Sequence, residues 1–133
     1  MVTIDTNIAI YALTEDEKTD RAESVLAAAG FLSVQVLNEF AFASRRKRRR
    51  EWADIQRDLS LLRTWVGDIR PVTDHSHEEA LRLTARYQLA FFDALLLAVA
   101  LAGGATIFYS EDMQHGLIID DRLTIINPFL DTP

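Results

Sequence analysis

Residues 89–112 read Leu89-Ala-Phe-Phe-Asp93-Ala-Leu-Leu-Leu-Ala-Val-Ala-Leu-Ala102-Gly103-Gly104-Ala-Thr106-Ile-Phe-Tyr109-Ser-Glu-Asp112. From Phe92 to Leu101 every face is apolar except at Asp93, which predicts a helix buried all round. Gly103-Gly104 ends that helix, and Thr106–Tyr109 then predicts a buried strand. The apolar run Leu89–Ala102 is 14 residues long, too short to span a bilayer. A wholly apolar helix needs neighbours on all sides, and a following buried strand supplies one. Helix followed by buried strand is the unit from which α/β domains are built.

The same alternation continues in both directions. Val2–Ile4 is a short β-prone run ending at Asp5, and Asp5-Thr6-Asn7 offers capping side chains to a helix over Ile8–Leu13. Further helices are predicted over Glu15–Ala29, closed by Gly30, and over Val36–Ser44. Glu51–Val66 carries Ile55, Leu59, Leu62 and Val66 on one face and reads as another helix. Asp74–Leu89 does too, with Glu78 and Glu79 in early turns, where the helix dipole favours acids. Phe31–Val34, Ile69–Val72 and Leu123–Ile126 are expected strands. The fold class is therefore α/β with a mainly parallel sheet. One domain is expected over residues 1–133, because three Pro, five Gly and no linker-like tract leave no boundary. Such sheets bind ligands beyond the carboxyl ends of their strands.

Composition narrows the function classes. With 49% hydrophobic and 26% charged residues, the bulk of the 133-residue chain is not disordered. No Cys is present, which excludes disulfides, a thiolate nucleophile and a thiolate zinc site. The N-terminus lacks the basic region of a secretory signal, and a cytoplasmic location is expected. Neither a Walker A loop nor a Gly-rich dinucleotide fingerprint occurs. The net charge of −6 conceals a division: Arg45-Arg46-Lys47-Arg48-Arg49-Arg50 form one basic block on a body whose other 127 residues sum to −12. Local potential, not the sum, governs binding to a polyanion.

Four acids stand in expensive places. Asp5 and Asp112 fall at the carboxyl ends of predicted strands. Asp93 is the only charge in its apolar stretch; an exposed helix-dipole contact is worth roughly 0.3–1 kcal/mol, less than the several kcal/mol that burying an unpaired carboxylate costs. Glu39 lies at the edge of the stripe formed by Val36, Phe40 and Ala43, facing the core margin. Each has a plain structural reading: a helix cap for Asp5 and Asp93, a snorkelling edge residue for Glu39, a turn residue for Asp112. If the four converge, mutual repulsion demands a cation or protonation of some members. Hard oxygen donors select Mg²⁺, Mn²⁺ or Ca²⁺, and Mg²⁺ or Mn²⁺ at an open carboxylate site supports attack of water on phosphorus.

The segments Val2-Thr3-Ile4-Asp5-Thr6-Asn7, Leu37-Asn38-Glu39-Phe40, Phe91-Phe92-Asp93-Ala94-Leu95 and Tyr109-Ser110-Glu111-Asp112-Met113-Gln114-His115-Gly116 together resemble the PIN-domain family. Within that family they look like the VapC-type toxins of bacterial toxin–antitoxin pairs. The resemblance implies a Rossmann-like α/β/α sandwich and a Mg²⁺- or Mn²⁺-dependent endoribonuclease. It implies Asp5, Glu39, Asp93 and Asp112 as the catalytic, metal-binding quartet, with Asp5 and Asp93 the most direct ligands. Thr6, Asn7 and Ser110 match supporting polar positions. A homodimer and a cognate antitoxin covering the groove are also implied. The chain departs from many relatives at Leu89–Phe92, where a Gly or a polar residue is usual, and Glu111 adds an acid expected to point outward.

The basic block covers every face of a helix and so cannot pack on a core; a solvated helix end or loop tip is expected. Arg45, Arg46, Lys47, Arg48, Arg49 and Arg50 are candidate RNA-backbone contacts, with antitoxin or dimer contacts and plain solvation as alternatives. Arg86 is a further candidate, although Arg82 and Arg86 also suit salt bridges. Trp52 and Trp65 are expected in core or dimer contacts. His75 and His77 suit turn and cap roles, and His115 lies near Asp112 without a defined part to play. The competing function is a catalytically silent RNA- or protein-binding regulatory module on the same fold. A phosphatase is disfavoured because Asn7 stands where an Asp-x-Asp pair needs its second acid.

Overall fold

A computed structural model describes residues 1–130. Its elements run β1 (Val2–Ile4), α1 (Thr6–Ala12), α2 (Thr19–Ala28), β2 (Leu32–Ser33), α3 (Val34–Arg46), α4 (Trp52–Val66), β3 (Ile69–Arg70), α5 (Asp74–Tyr87), α6 (Phe91–Ala102), β4 (Ile107–Tyr109), β5 (Ile118–Ile119) and β6 (Leu123–Ile126). The main sheet has the order β1-β4-β6-β5 and is parallel except at the β5 edge. β2 and β3 form a separate parallel pair. The 29–31 segment joins them to β1: Gly30 N–H donates to the Val2 carbonyl at 2.9 Å and the Thr3 hydroxyl to the Phe31 carbonyl at 2.6 Å.

α6 is the hub, as its composition predicts, and every residue from Ala94 to Leu101 is buried. Its pairing with α5 is the most extensive in the molecule, and Leu83, Leu97, Phe31 and Phe108 are almost wholly enclosed in the shared core. No single described helix is long and apolar enough to cross a membrane. At the helix start the expectation of burial all round fails: Phe92 is 59% exposed. It lies two residues before the buried stretch that starts at Ala94.

Boundaries shift for local reasons. α2 begins at Thr19, because the Thr19 hydroxyl bonds the carbonyls of Tyr11 and Thr14 and holds 15–18 as a turn. α3 starts at Val34, two residues before its predicted start, because Ser33 caps it by accepting from the Gln35 N–H. α5 is capped by a reciprocal Thr73–Ser76 box and ends at Tyr87, because Gln88 adopts a left-handed conformation at φ 57°. β5 was not expected from the sequence. Two residues carry too little pattern to register, and this strand exists through its pairing with Leu123 and Thr124.

Candidate active site

The carboxyl ends of β1 and β4 lie side by side, with Ile4 paired to Tyr109. The chain leaves β1 at Asp5, whose N–H donates to the Tyr109 carbonyl at 2.8 Å, extending the ladder by one residue. Asp5 is also the N-cap of α1: its Oδ1 accepts from the Thr6 N–H at 2.7 Å. The capping reading is thus correct, and it leaves the other oxygen for Ser110, whose hydroxyl donates to Oδ2 at 2.8 Å. Ser110 is wholly buried and accepts from the N–H groups of Asp112 (3.2 Å) and Met113 (3.1 Å). One hydroxyl therefore fixes Asp5 and folds the turn that carries Asp112.

Glu39 is half-buried on α3 and held by two polar side chains. Gln35 donates to Oε2 at 3.2 Å and Thr6 to Oε1 at 3.4 Å. Asp93 sits in the first turn of α6 and takes no hydrogen bond from a side chain among the described residues. Asp112 is exposed and accepts from Asn7 Nδ2 at 3.0 Å. The amide's other end, Asn7 Oδ1, is buried and has no partner among the described residues.

The electrostatics link all four acids. Burial pushes the Asp5 carboxyl up to about 6, against the hydrogen bonds from Ser110 and Thr6, and the charges of Asp93 and Glu39 add to the rise. Burial raises Glu39 as well, with Asp93 contributing. Asp93 is raised by burial and then by Asp112. Among the described residues no cationic side chain offsets these three, so each favours a proton or an external cation. As the side chains stand, no group of three or more acids or histidines among the described residues closes around a single point. The donor set nevertheless fits a hard divalent cation: all of its atoms are oxygens, the carboxylates are uncompensated, and Asn7 Oδ1 is an orphaned acceptor. Asp5, Asp93, Glu39 and Asp112 are the residues that would hold it.

Comparison with known proteins fits this geometry. The sequence model described as "PIN domain" matches residues 2–116. The chain belongs to the PIN-domain family. This PIN domain is similar to a chain of a toxin–antitoxin complex from Klebsiella pneumoniae, with 17% identity, a TM-score of 0.67, and 96% of this chain and 97% of that one covered. It is also similar to VapC20 of Mycobacterium tuberculosis, described as a sarcin–ricin-loop-cleaving toxin, with 18% identity, a TM-score of 0.63, and 81% and 87% coverage. A search of curated proteins gave no match.

Around the acids of the PIN domain, several expectations need correction. Glu111 does not simply point to solvent: it accepts from Tyr11 at 3.1 Å and pairs with Lys18 at 2.9 Å, with the ammonium also 5.0 Å from the Tyr11 ring centre. Sequence gave no warning of this, since the partners lie about a hundred positions apart. The basic block is not uniformly solvated. Arg50 turns inward to Asp58 at 2.9 Å, and Arg45 reaches the Arg50 carbonyl at 3.1 Å and lies over Trp52. Arg45, Arg46, Lys47, Arg48 and Arg49 remain exposed, and Arg50 alone is partly buried. Arg82 is bridged to Glu79 and Asp120, whereas Arg86 lies over the Tyr87 ring. Trp52 and Trp65 are not core residues; they are 54% and 48% exposed. His77 packs edge-on against Phe91, and His115 accepts the Asn127 N–H through Nδ1 at 3.0 Å. A cavity of about 810 Å³ is lined by Lys18, Arg21, His115 and Phe129 and by none of the four acids. The role of Gln35 was legible but unread: four residues before Glu39, it stands on the same helix face.

Proposed function

We propose that this PIN domain is a Mg²⁺- or Mn²⁺-dependent endoribonuclease that acts as the toxin of a type II toxin–antitoxin system. The observation that carries the reading is the chain of mutually repelling, half-buried to buried acids that runs from Asp5, at the carboxyl end of β1, to Glu39 on α3 and Asp93 on α6, with no offsetting cationic side chain among the described residues. The structural neighbours' descriptions as a toxin–antitoxin complex and an RNA-cleaving toxin support the substrate class and the antitoxin partner. A homodimer and a cytoplasmic location accompany the proposal.

The catalytic and metal-binding residues are Asp5, Glu39, Asp93 and Asp112. A bound divalent cation would supply charge stabilisation at the phosphate and a more acidic water. The protein's own share is positional. Ser110 and the Thr6 N–H fix both oxygens of Asp5. Gln35 and Thr6 hold Glu39 toward the acids, where its raised affinity for protons suits it to accept one from an attacking water. Asn7 aims Asp112. Products with a 5′-phosphate and a 3′-hydroxyl follow from attack of water on phosphorus with departure of the 3′ oxygen.

The test is purified protein with RNA in Mg²⁺ or Mn²⁺, in EDTA, and with Asp93→Asn. Cleavage that requires metal and disappears in the variant supports the proposal. Cleavage in EDTA, or undiminished in Asp93→Asn, refutes it. Stable RNA binding without cleavage under any metal would instead establish the silent regulatory module.

A further inference from the structure

α3 links the acidic site to the basic block by more than sequence proximity. Residues three, four and seven apart on a helix share a face, so Gln35, Glu39, Phe42 and Arg46 form one stripe along α3. Contacts at both ends confirm the alignment. Gln35 bonds Glu39, and the Arg46 guanidinium lies 5.6 Å from the centre of the Phe42 ring. At 1.5 Å per residue, Phe42 stands about 4.5 Å and Arg46 about 10 Å from Glu39 along the axis. A stacked strand rises roughly 3.4 Å per nucleotide, so the stripe is about three nucleotides long.

Phe42 has no packing reason to be where it is. Phe42 is 62% exposed, the highest value among the large hydrophobic residues described, while its near neighbour Phe40 is completely buried. An exposed phenyl ring flanked by a guanidinium, with Lys47, Arg48 and Arg49 beyond it, presents an apolar plate beside concentrated positive charge. Bases and phosphates of a single strand need that pair of surfaces in alternation. A base paired in a duplex has both faces stacked and offers neither to the ring.

We propose that the Phe42–Arg46 stripe of α3 is a single-strand RNA subsite: Phe42 stacks a base next to the phosphodiester presented to the acidic site, and Arg46 contacts a neighbouring phosphate. The inference rests on the ribonuclease reading and adds the residues that seat the strand, with Phe42 in contact with a base and Arg46 with a phosphate. The cationic rim argues for a polyanion over an apolar partner helix, which would gain nothing from four exposed bases.

The experiment measures fluorescence anisotropy of a labelled single-stranded RNA octamer, and of the same sequence in a duplex, across a salt series. It uses the intact chain carrying Asp93→Asn to prevent turnover. Adding Phe42→Ala should weaken single-strand binding roughly 5- to 150-fold, leave its salt slope unchanged, and leave duplex binding untouched. Phe42→Trp should restore the affinity. Arg46→Gln should lower the slope of log K against log salt by about 0.7, one phosphate's share. Trp65→Ala, an exposed aromatic elsewhere, should change nothing. Because Phe42 is exposed, the variant should keep its helical circular dichroism and melting temperature.

Equal single-strand affinities for Phe42→Ala and its parent would overturn the subsite while metal-dependent cleavage by the wild type left the ribonuclease reading intact. A wild type that neither binds nor cleaves RNA would remove both. Conversion of a dimer to monomers by Phe42→Ala, with RNA affinity per folded chain unchanged, would assign the stripe to a protein interface and overturn the proposal.

Discussion

Asp5→Asn isolates the cost of holding a carboxylate at the foot of β1. The folded-state pKa of Asp5 is about 6 against 3.8 for an unperturbed group. A carboxyl with a raised folded pKa penalises the fold only when ionised. The penalty is absent below the unfolded value, grows as pH rises from about 4 to 6, and is complete at neutrality. At roughly 1.4 kcal/mol per pH unit, the difference comes to about 3 kcal/mol. The amide removes that charge while its oxygen still caps Thr6. It mismatches Ser110, whose oxygen already accepts two backbone N–H groups, and that costs roughly 1–2 kcal/mol. In EDTA, the variant should therefore be more stable than wild type by about 1–2 kcal/mol at pH 7.5 and less stable by a similar amount near pH 4. Urea denaturation of both proteins across this range reads the difference directly and cancels groups that titrate alike in each, such as the acids paired with Arg70 and Arg82. Added Mg²⁺ should reverse the order at pH 7.5 by stabilising wild type selectively. A wild-type-minus-variant difference that stays flat from pH 4 to 7.5 would refute the account of Asp5 as a strained, uncompensated charge.

Three further perturbations test the supports. Ser110→Ala should cost about 2 kcal/mol by urea denaturation, because the N–H groups of Asp112 and Met113 lose their buried acceptor, and should also reduce cleavage by releasing Asp5 and Asp112. Gly103→Ala should destabilise by about 1–3 kcal/mol, visible as a lower melting temperature, because the new methyl would stand 2.5 Å from the Cζ of the wholly buried Phe31. Asp58→Ala should cost about 2–3 kcal/mol and make stability more salt-sensitive. It strands Arg50, whose Nε is buried without a partner, next to the repelling charge of Arg48.

Much of the molecule is legible in its sequence, because burial on every side and strand alternation leave marks in composition. The 94–101 stretch could only be a core helix, and Gly103-Gly104 followed by Thr106–Tyr109 could only turn into a strand. The acids stood out because unpaired charge in apolar sequence is costly wherever the chain places it. Assigning them to one catalytic site is a different kind of inference, and it rests on the resemblance of four separated segments to the family.

Tertiary structure alone decided how those acids are held and which bases remain free. The Ser110 hydroxyl bonding Asp5, Asn7 aimed at Asp112, and Lys18 diverted to Glu111 each join positions about a hundred residues apart. Hydrogen bonds of a few ångströms between distant segments leave no periodicity to read. The basic block shows the same limit from the other side. Composition marked six equal cations, and only the packing of α4 against α3 turned Arg50 inward to Asp58 while Arg46 was left on the Glu39 face. Charge is written in the sequence; the neighbour that neutralises it is chosen by the fold.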